Sequence, residues 1–142
     1  MIILDVNILI YAVNRHAPLH SRAKSWLETT MAGTETIGLP WTVLLAFLRL
    51  TTRPGLFSNP MPIDNAFDLI DSWLEQPLVT IVDPGPRHRI ILRGLLSNAG
   101  TGGNLTSDAH LAALALEHRA ELCSSDHDFL RFPGLKCRNP LA

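Results

Sequence analysis

The sequence predicts an α/β fold, with a mostly parallel sheet flanked by helices, in one domain that spans residues 1–142. Short apolar runs alternate with longer segments of helical periodicity along the whole chain, and parallel neighbouring strands need helical connections between them. A length of 142 residues also suits a single hydrophobic core.

The first half of the chain begins this alternation. Residues 2–4 and 36–39 are short apolar runs typical of buried strands, and a helix is predicted between them at residues 20–31. Pro40 suits the first turn of an apolar helix over residues 41–50, because a helix does not use the N–H that proline lacks at this position.

The second half continues the same pattern. A helix is predicted around residues 66–74, and Pro77 ends it before a strand at residues 78–82. Four further segments are then predicted, in the order helix, glycine-rich loop, helix and strand: residues 87–98, 100–104, 108–119 and 121–124. Residues 134–140 are expected to add an edge strand.

The composition indicates a folded, soluble protein. Hydrophobic residues make up 46% of the chain, yet no apolar run reaches the roughly 18 residues that a membrane-spanning helix needs. The N-terminus lacks the pattern of a secretory signal, so we expect a cytoplasmic protein with no membrane partner. A formal net charge of −1 neither supports nor excludes an RNA partner, because nucleic-acid binding depends on a local patch of charge.

Three carboxylates lie where a strand ends or a helix begins. Asp5 follows the first strand, Asp108 begins the helix after the glycine-rich loop, and Asp126 follows the strand at residues 121–124. Ligands of open parallel sheets bind outside the carboxyl ends of the strands, so these side chains could converge on one pocket. Carboxylates at close range repel one another, whereas Mg²⁺ and Mn²⁺ prefer such oxygen ligands. The pattern therefore predicts a metal site suited to phosphodiester hydrolysis.

Each of these carboxylates also has a purely structural explanation. Asp5 and Asn7 could form an Asx turn, and Asp108 suits the positive end of a helix dipole. Either Asp126 or Asp128 could cap the short turn that follows, while the other points into the site. We favour Asp126 as the ligand because it comes first after the strand.

Four segments together resemble the PIN-domain ribonucleases, and more closely the VapC toxins of bacterial type II toxin–antitoxin modules. They are MIILDVNILIY at residues 1–11, the pattern HxxAxxW at 20–26, LTSDAHLAALA at 105–115 and SSDHDF at 124–129. The resemblance covers almost the whole chain. It implies a small Rossmann-like domain, an endoribonuclease that depends on Mg²⁺ or Mn²⁺, homodimerisation, and inhibition by a cognate VapB-type antitoxin.

The resemblance also assigns roles to individual residues. Asp5, Asp108 and Asp126 match the first, third and fourth metal-binding acids of the family, and are the expected catalytic and metal-binding residues. The residues expected to support them are Asn7, Ser124 and Asp128.

Ala46 departs from the family pattern, which usually has a Glu at this place. The loss of one carboxylate could lower metal affinity or remove a second ion, and Glu35 or Asp83 could partly substitute. The competing prediction is therefore a catalytically weak PIN-fold protein that binds RNA or an antitoxin. A third interpretation is a phosphatase with Asp5 as a covalent nucleophile, but the chain lacks a suitable downstream lysine for it.

Arginines are concentrated in two places that could contact RNA. Arg87, Arg89 and Arg93 lie on and before one predicted helix, and Arg49 and Arg53 form a second group. Cations near an acidic metal site can hold phosphates, although a solvated helix face explains each group equally well.

Overall fold

In the computed structural model, which describes residues 1–142, all five strands run parallel in one sheet. The strands are β1 (Ile2–Leu4), β2 (Ile37–Pro40), β3 (Val79–Val82), β4 (Glu121–Cys123) and β5 (Cys137–Arg138). Their spatial order is β3-β2-β1-β4-β5, so the chain winds outward from β1 in one direction and then in the other. The predicted α/β class and the predicted edge strand near the C-terminus are confirmed.

Six helices flank this sheet. They are α1 (Val6–Val13), α2 (His20–Met31), α3 (Trp41–Thr52), α4 (Ile63–Leu74), α5 (His88–Ala99) and α6 (Thr106–Glu117). Every residue of β1 and β2 is buried, which explains why both strands are continuous apolar runs in the sequence rather than alternating ones. No helix has both the length and the apolar character needed to cross a bilayer.

Helix α1 was not predicted from the sequence. It begins directly after Asp5, whose Oδ1 accepts a 2.7 Å hydrogen bond from the Val6 N–H and caps the helix. Its buried residues are Ile8, Leu9, Ile10 and Ala12. Because three consecutive side chains are buried, this short segment lacks the polar face by which an amphipathic helix is recognised.

Two helix boundaries differ from the prediction in ways that affect the site. Pro40 has extended backbone and is the last residue of β2, so it precedes α3 instead of occupying its first turn. Helix α6 begins at Thr106, which makes Asp108 its third residue, and it ends at Glu117 instead of residue 119. Arg119, beyond the end, has a φ of 54°, in the left-handed region that favours glycine.

Glu117, at the end of α6, stabilises the start of α5. Its carboxylate accepts hydrogen bonds from the backbone N–H groups of Gly85 at 2.7 Å and Arg87 at 2.9 Å. A Cβ at residue 85 would lie 2.5 Å from Glu117 Oε2, so any larger residue there would displace this carboxylate. This contact fixes α5 against α6, the helix that carries Asp108.

Candidate metal centre

Asp5 lies at the carboxyl end of β1, beside the end of β4. Leu4 pairs with Cys123 across these two strands, and the Asp5 N–H donates to the Cys123 carbonyl at 2.9 Å. The strand order reverses between β1 and β4, and such a switch point is where open α/β sheets bind ligands. The sequence therefore correctly predicted that residues from the two ends of the chain meet at this edge.

Asn7 and Ser124 both contact the Asp5 carboxylate. The Ser124 hydroxyl donates to Asp5 Oδ2 at 2.7 Å, and Asn7 Nδ2 donates to the same oxygen at 3.2 Å. Burial raises the pKa of Asp5, the hydrogen bonds from Ser124 and Val6 lower it, and the negative charge of Asp126 raises it further. The net shift is upward.

Asp126 and Asp128 lie in the short 3₁₀ turn that follows β4. Asp126 Oδ1 accepts a 2.9 Å hydrogen bond from the Asp128 N–H, so Asp126 is the residue that caps this turn. Asp128 Oδ1 forms a 3.2 Å ion pair with Arg131 Nη2. Each carboxylate thus makes its local contact through Oδ1, and its Oδ2 accepts no hydrogen bond from the protein.

Asp108, Asp126 and Asp128 form a compact group of carboxylates, hereafter the acid cluster. One oxygen from each lies within 4.8 Å of the other two. Burial raises the pKa of Asp108, and the charges of Asp126, Asp5 and Asp128 raise it further, while Arg131 lowers it. Asp5 is not a member of the acid cluster, but its negative charge also raises the pKa of Asp108.

The ligand atoms of the acid cluster suit a hard divalent cation. All three are carboxylate oxygens, with no sulfur or imidazole nitrogen among them. Oxygen-only sites favour Mg²⁺, Mn²⁺ or Ca²⁺ over zinc or copper. A cation would also remove the repulsion that raises the pKa of Asp108.

A cleft of about 210 Å³ opens beside Asp5 and Asp108. One wall is α3, which contributes Thr42, Ala46 and Arg49 to the lining. The resemblance expected a carboxylate at residue 46, and the structure places only a methyl group there, facing the cleft.

Neither of the two acids that could have replaced this carboxylate reaches the cleft. Glu35 binds the N-terminal ammonium of Met1 at 2.9 Å, at the opposite end of β1 from Asp5. Asp83 follows β3 and is absent from the cleft lining. The suggestion that Glu35 or Asp83 substitutes for the missing Glu is therefore wrong.

The arginines of α5 are separate from the cleft. Arg87, Arg89 and Arg93 are all exposed, and none of them lines it. The Arg87 N–H binds Glu117, which follows Asp108 by nine residues of α6, or about 13 Å at the helical rise. An RNA contact by these three residues stays a prediction.

Arg131 is part of the site but was not predicted from the sequence. Arg131 pairs with Asp128 and lowers the pKa of Asp108. Its spacing of three residues from Asp128 in a short helical turn is a signal that could have indicated this ion pair.

Comparisons with known proteins show which family the chain is similar to. A family model described as PIN domain matches residues 2–135. The chain is 45% identical to Ribonuclease VapC37 of Mycobacterium tuberculosis over 142 residues. The aligned region covers 100% of this chain and 99% of that protein. The chain is 44% identical to Ribonuclease VapC33 of the same species, with 99% of both chains covered.

Solved structures share the fold at lower identity. VapBC2 from Rickettsia felis, bound to a DNA fragment from its promoter, is similar with a TM-score of 0.73 and 24% identity over 98% of both chains. VapBC-1 from nontypeable Haemophilus influenzae is similar with a TM-score of 0.69 and 18% identity over 100% of both chains.

Proposed function

Because the chain belongs to the PIN domain family, we propose that it is a VapC-type ribonuclease, the toxin of a toxin–antitoxin pair, which hydrolyses RNA phosphodiester bonds with a divalent metal ion. The observation that carries this proposal is the acid cluster, in which three carboxylate oxygens lie within 4.8 Å of one another at the switch point of the sheet. The relatives that are 45% and 44% identical are both named ribonucleases, which supports the same reaction.

The proposed metal ligands are Asp5, Asp108 and Asp126, and the ion is Mg²⁺ or Mn²⁺. Asp128 joins them, because its carboxylate oxygen is part of the acid cluster. A divalent ion held at this place supplies a water of lowered pKa and neutralises charge on the phosphate under attack. Ser124 and Asn7 orient Asp5 toward that position through their hydrogen bonds.

The proposed partners follow from the same family. A VapB-type antitoxin is supported by the similarity to the VapBC structures, and RNA is the proposed substrate in the cytoplasm. Homodimerisation is supported by apolar side chains that α3 leaves exposed. Trp41 and Leu45, one turn apart, are 45% and 57% exposed.

A second candidate function is a PIN-fold protein that binds RNA or an antitoxin without cleaving RNA. Ala46 is the observation that favours it, since the cleft lacks one carboxylate of the expected set. Fewer charged ligands bind a hard cation more weakly.

Cleavage of RNA by protein freed of antitoxin tests both candidates. The protein is stripped of metal with EDTA, supplied with Mg²⁺ or Mn²⁺, and incubated with total cellular RNA. We expect wild-type protein to cleave and Asp5→Asn and Asp108→Asn to lose cleavage. Asp68→Asn is the matched control, because this exposed carboxylate of α4 makes no ion pair and lies outside the cleft.

Two outcomes would count against the ribonuclease. Equal cleavage by all four proteins would indicate a contaminating nuclease. Binding of RNA without cleavage under any metal condition would favour the second candidate. Thermal unfolding gives an independent measurement, since Mn²⁺ should raise the melting temperature of wild type and of Asp68→Asn but not of Asp108→Asn.

A further inference from the structure

Arg49 is an unpaired cation on the wall of the acidic cleft. It lies on α3 with Thr42 and Ala46, at the spacing of successive helical turns, and all three line the cleft together with Asp5 and Asp108. Arg49 is exposed, and it takes part in none of the ion pairs of the protein. The arginine side chains that donate to other residues are those of Arg22, Arg131 and Arg138, so the donors of the Arg49 guanidinium are free.

The other arginine of the site is already engaged. Arg131 forms an ion pair with Asp128, and its charge is the positive one that acts on Asp108. Arg49 lines the same cleft as Asp5 and Asp108 but forms an ion pair with neither of them.

Ala46 explains why Arg49 is free. Residues 46 and 49 are three positions apart on one helix, the spacing at which opposite charges form ion pairs. A carboxylate at residue 46 would compete for the guanidinium, whereas the methyl group of Ala46 leaves it available to an anion from solvent. A guanidinium presents five N–H donors in a planar fork that matches the oxygens of a phosphate.

We propose that Arg49 binds a backbone phosphate of the RNA in this cleft, beside the phosphate that is hydrolysed at the acid cluster. This inference rests on the proposed ribonuclease function and adds a substrate-binding residue to it. Because Ala46 supplies no carboxylate, the neighbouring Arg49 is free to bind the substrate. Arg49 supplies positive charge to a cleft whose other charged lining residues, Asp5 and Asp108, repel RNA.

Binding of a fluorescein-labelled, single-stranded oligoribonucleotide tests the proposal without catalysis. Fluorescence anisotropy in EDTA over a series of salt concentrations measures affinity and its salt dependence. We expect Arg49→Ala to weaken binding about tenfold and to reduce the slope of log K against log salt by about 0.7, the value for one phosphate contact of a single strand. Arg49→Lys should keep the slope and recover part of the affinity, because it retains the charge and loses the planar fork.

Arg15→Ala is the matched control. Arg15 is exposed and unpaired, like Arg49, but it follows α1 and lies outside the cleft. In cleavage assays with Mn²⁺, Arg49→Ala should raise KM more than it lowers kcat, because it removes binding that is shared by the ground state and the transition state. Arg49→Ala introduces a strong helix former at an exposed helical position, so its melting temperature should match that of wild type.

The outcomes separate this inference from the ribonuclease proposal. One outcome is that wild type cleaves RNA and Asp108→Asn does not, while Arg49→Ala and Arg15→Ala both bind RNA as tightly as wild type. In that case the proposed role of Arg49 is wrong and the ribonuclease proposal stands. Equal losses of affinity in Arg49→Ala and Arg15→Ala would also overturn it, since they would indicate a diffuse charge effect. If wild type neither binds nor cleaves RNA, both proposals fail.

Discussion

The Ser124 hydroxyl donates a 2.7 Å hydrogen bond to Asp5 Oδ2 across 119 residues of sequence. The same oxygen of Ser124 accepts hydrogen bonds from the Asp126 N–H at 3.0 Å and from Asn7 Nδ2 at 3.2 Å. Ser124 is only 5% exposed, so solvent competes little for these contacts. One hydroxyl therefore fixes Asp5 relative to the chain that carries Asp126.

Ser124→Ala should weaken the site without unfolding the protein. Asp5 would lose the hydrogen bond that lowers its pKa most, and Asp126 would lose an acceptor for its N–H. We expect Mn²⁺ affinity or cleavage to fall about 10- to 100-fold, the usual effect of losing a residue that orients a metal ligand. Mn²⁺ titrations followed by thermal unfolding, together with cleavage rates, measure both quantities.

Ser125→Ala is the control for this change, because the Ser125 hydroxyl makes no hydrogen bond to Asp5 or Asp126. Equal metal affinity in the two variants would show that Ser124 has no orienting role.

Ala46→Glu should increase affinity for Mn²⁺ and lower stability in EDTA. The new carboxylate would face the cleft that Asp5 and Asp108 line, which adds an oxygen ligand and, without metal, another like charge. Melting temperatures measured with and without Mn²⁺ test both the expected gain in metal affinity and the expected loss of stability in EDTA. Ser97→Glu is the control, since Ser97 is exposed on α5 and does not line the cleft. A metal response equal to that of Ser97→Glu would contradict the proposed position of the ion.

Glu117→Gln should change the pH dependence of stability. Hydrogen bonds from the N–H groups of Gly85 and Arg87 hold the pKa of Glu117 below its ordinary value of 4.5, against a smaller opposing effect of desolvation. The stability that this carboxylate contributes is present above its ordinary pKa and is lost as pH falls through the lowered pKa of the folded protein.

The melting temperature of Glu117→Gln should therefore lie below that of wild type at neutral pH, and the difference should shrink in acid, below pH 4.5. Thermal unfolding between about pH 7 and pH 3 covers this window. Glu75→Gln, an exposed carboxylate that makes no ion pair, should show a constant difference. The prediction fails if Glu117→Gln also differs from wild type by a constant amount.

Arg119→Gly should stabilise the protein by about 1 kcal/mol, because residue 119 has a left-handed backbone that disfavours a side chain. The Ala120 N–H binds the Ala115 carbonyl at 2.8 Å, which is the hydrogen-bond pattern of a helix end that usually has glycine in this position. Urea unfolding measures the change. Arg119→Ala keeps the Cβ and should give no comparable gain; an equal gain in both variants would locate the effect in the arginine side chain.

The sequence predicted the sheet well because its central strands β1 and β2 are buried on both faces. Continuous apolar runs such as those of β1 and β2 are typical of central parallel strands, and the helices between them show clear periodicity. Helix α1 was missed for a related reason. Its apolar residues follow β1 with only Asp5 between them, so the pattern does not show where the strand ends.

The sequence was enough to predict that the candidate site lies at the carboxyl ends of the strands, but not which side chains contact one another there. Asp5 and Asp126 lie at one edge of the sheet because β1 and β4 are parallel neighbours whose carboxyl ends lie side by side, which topology alone determines. The ion pair between Asp128 and Arg131, and the position of Arg49 in the cleft, depend on side-chain directions in separate elements. Those directions follow from packing between distant parts of the chain, which hydrophobic periodicity does not describe.

The separation of the site residues along the chain also determines the order in which the site can assemble during synthesis. Asp5 emerges from the ribosome before Asp108, Asp126 and Asp128, which follow it by more than 100 residues. Strand β4, which directly precedes Ser124, cannot pair with β1 until residues 121–123 have emerged. A nascent chain that has not yet reached residue 126 therefore lacks two of the three carboxylates of the acid cluster.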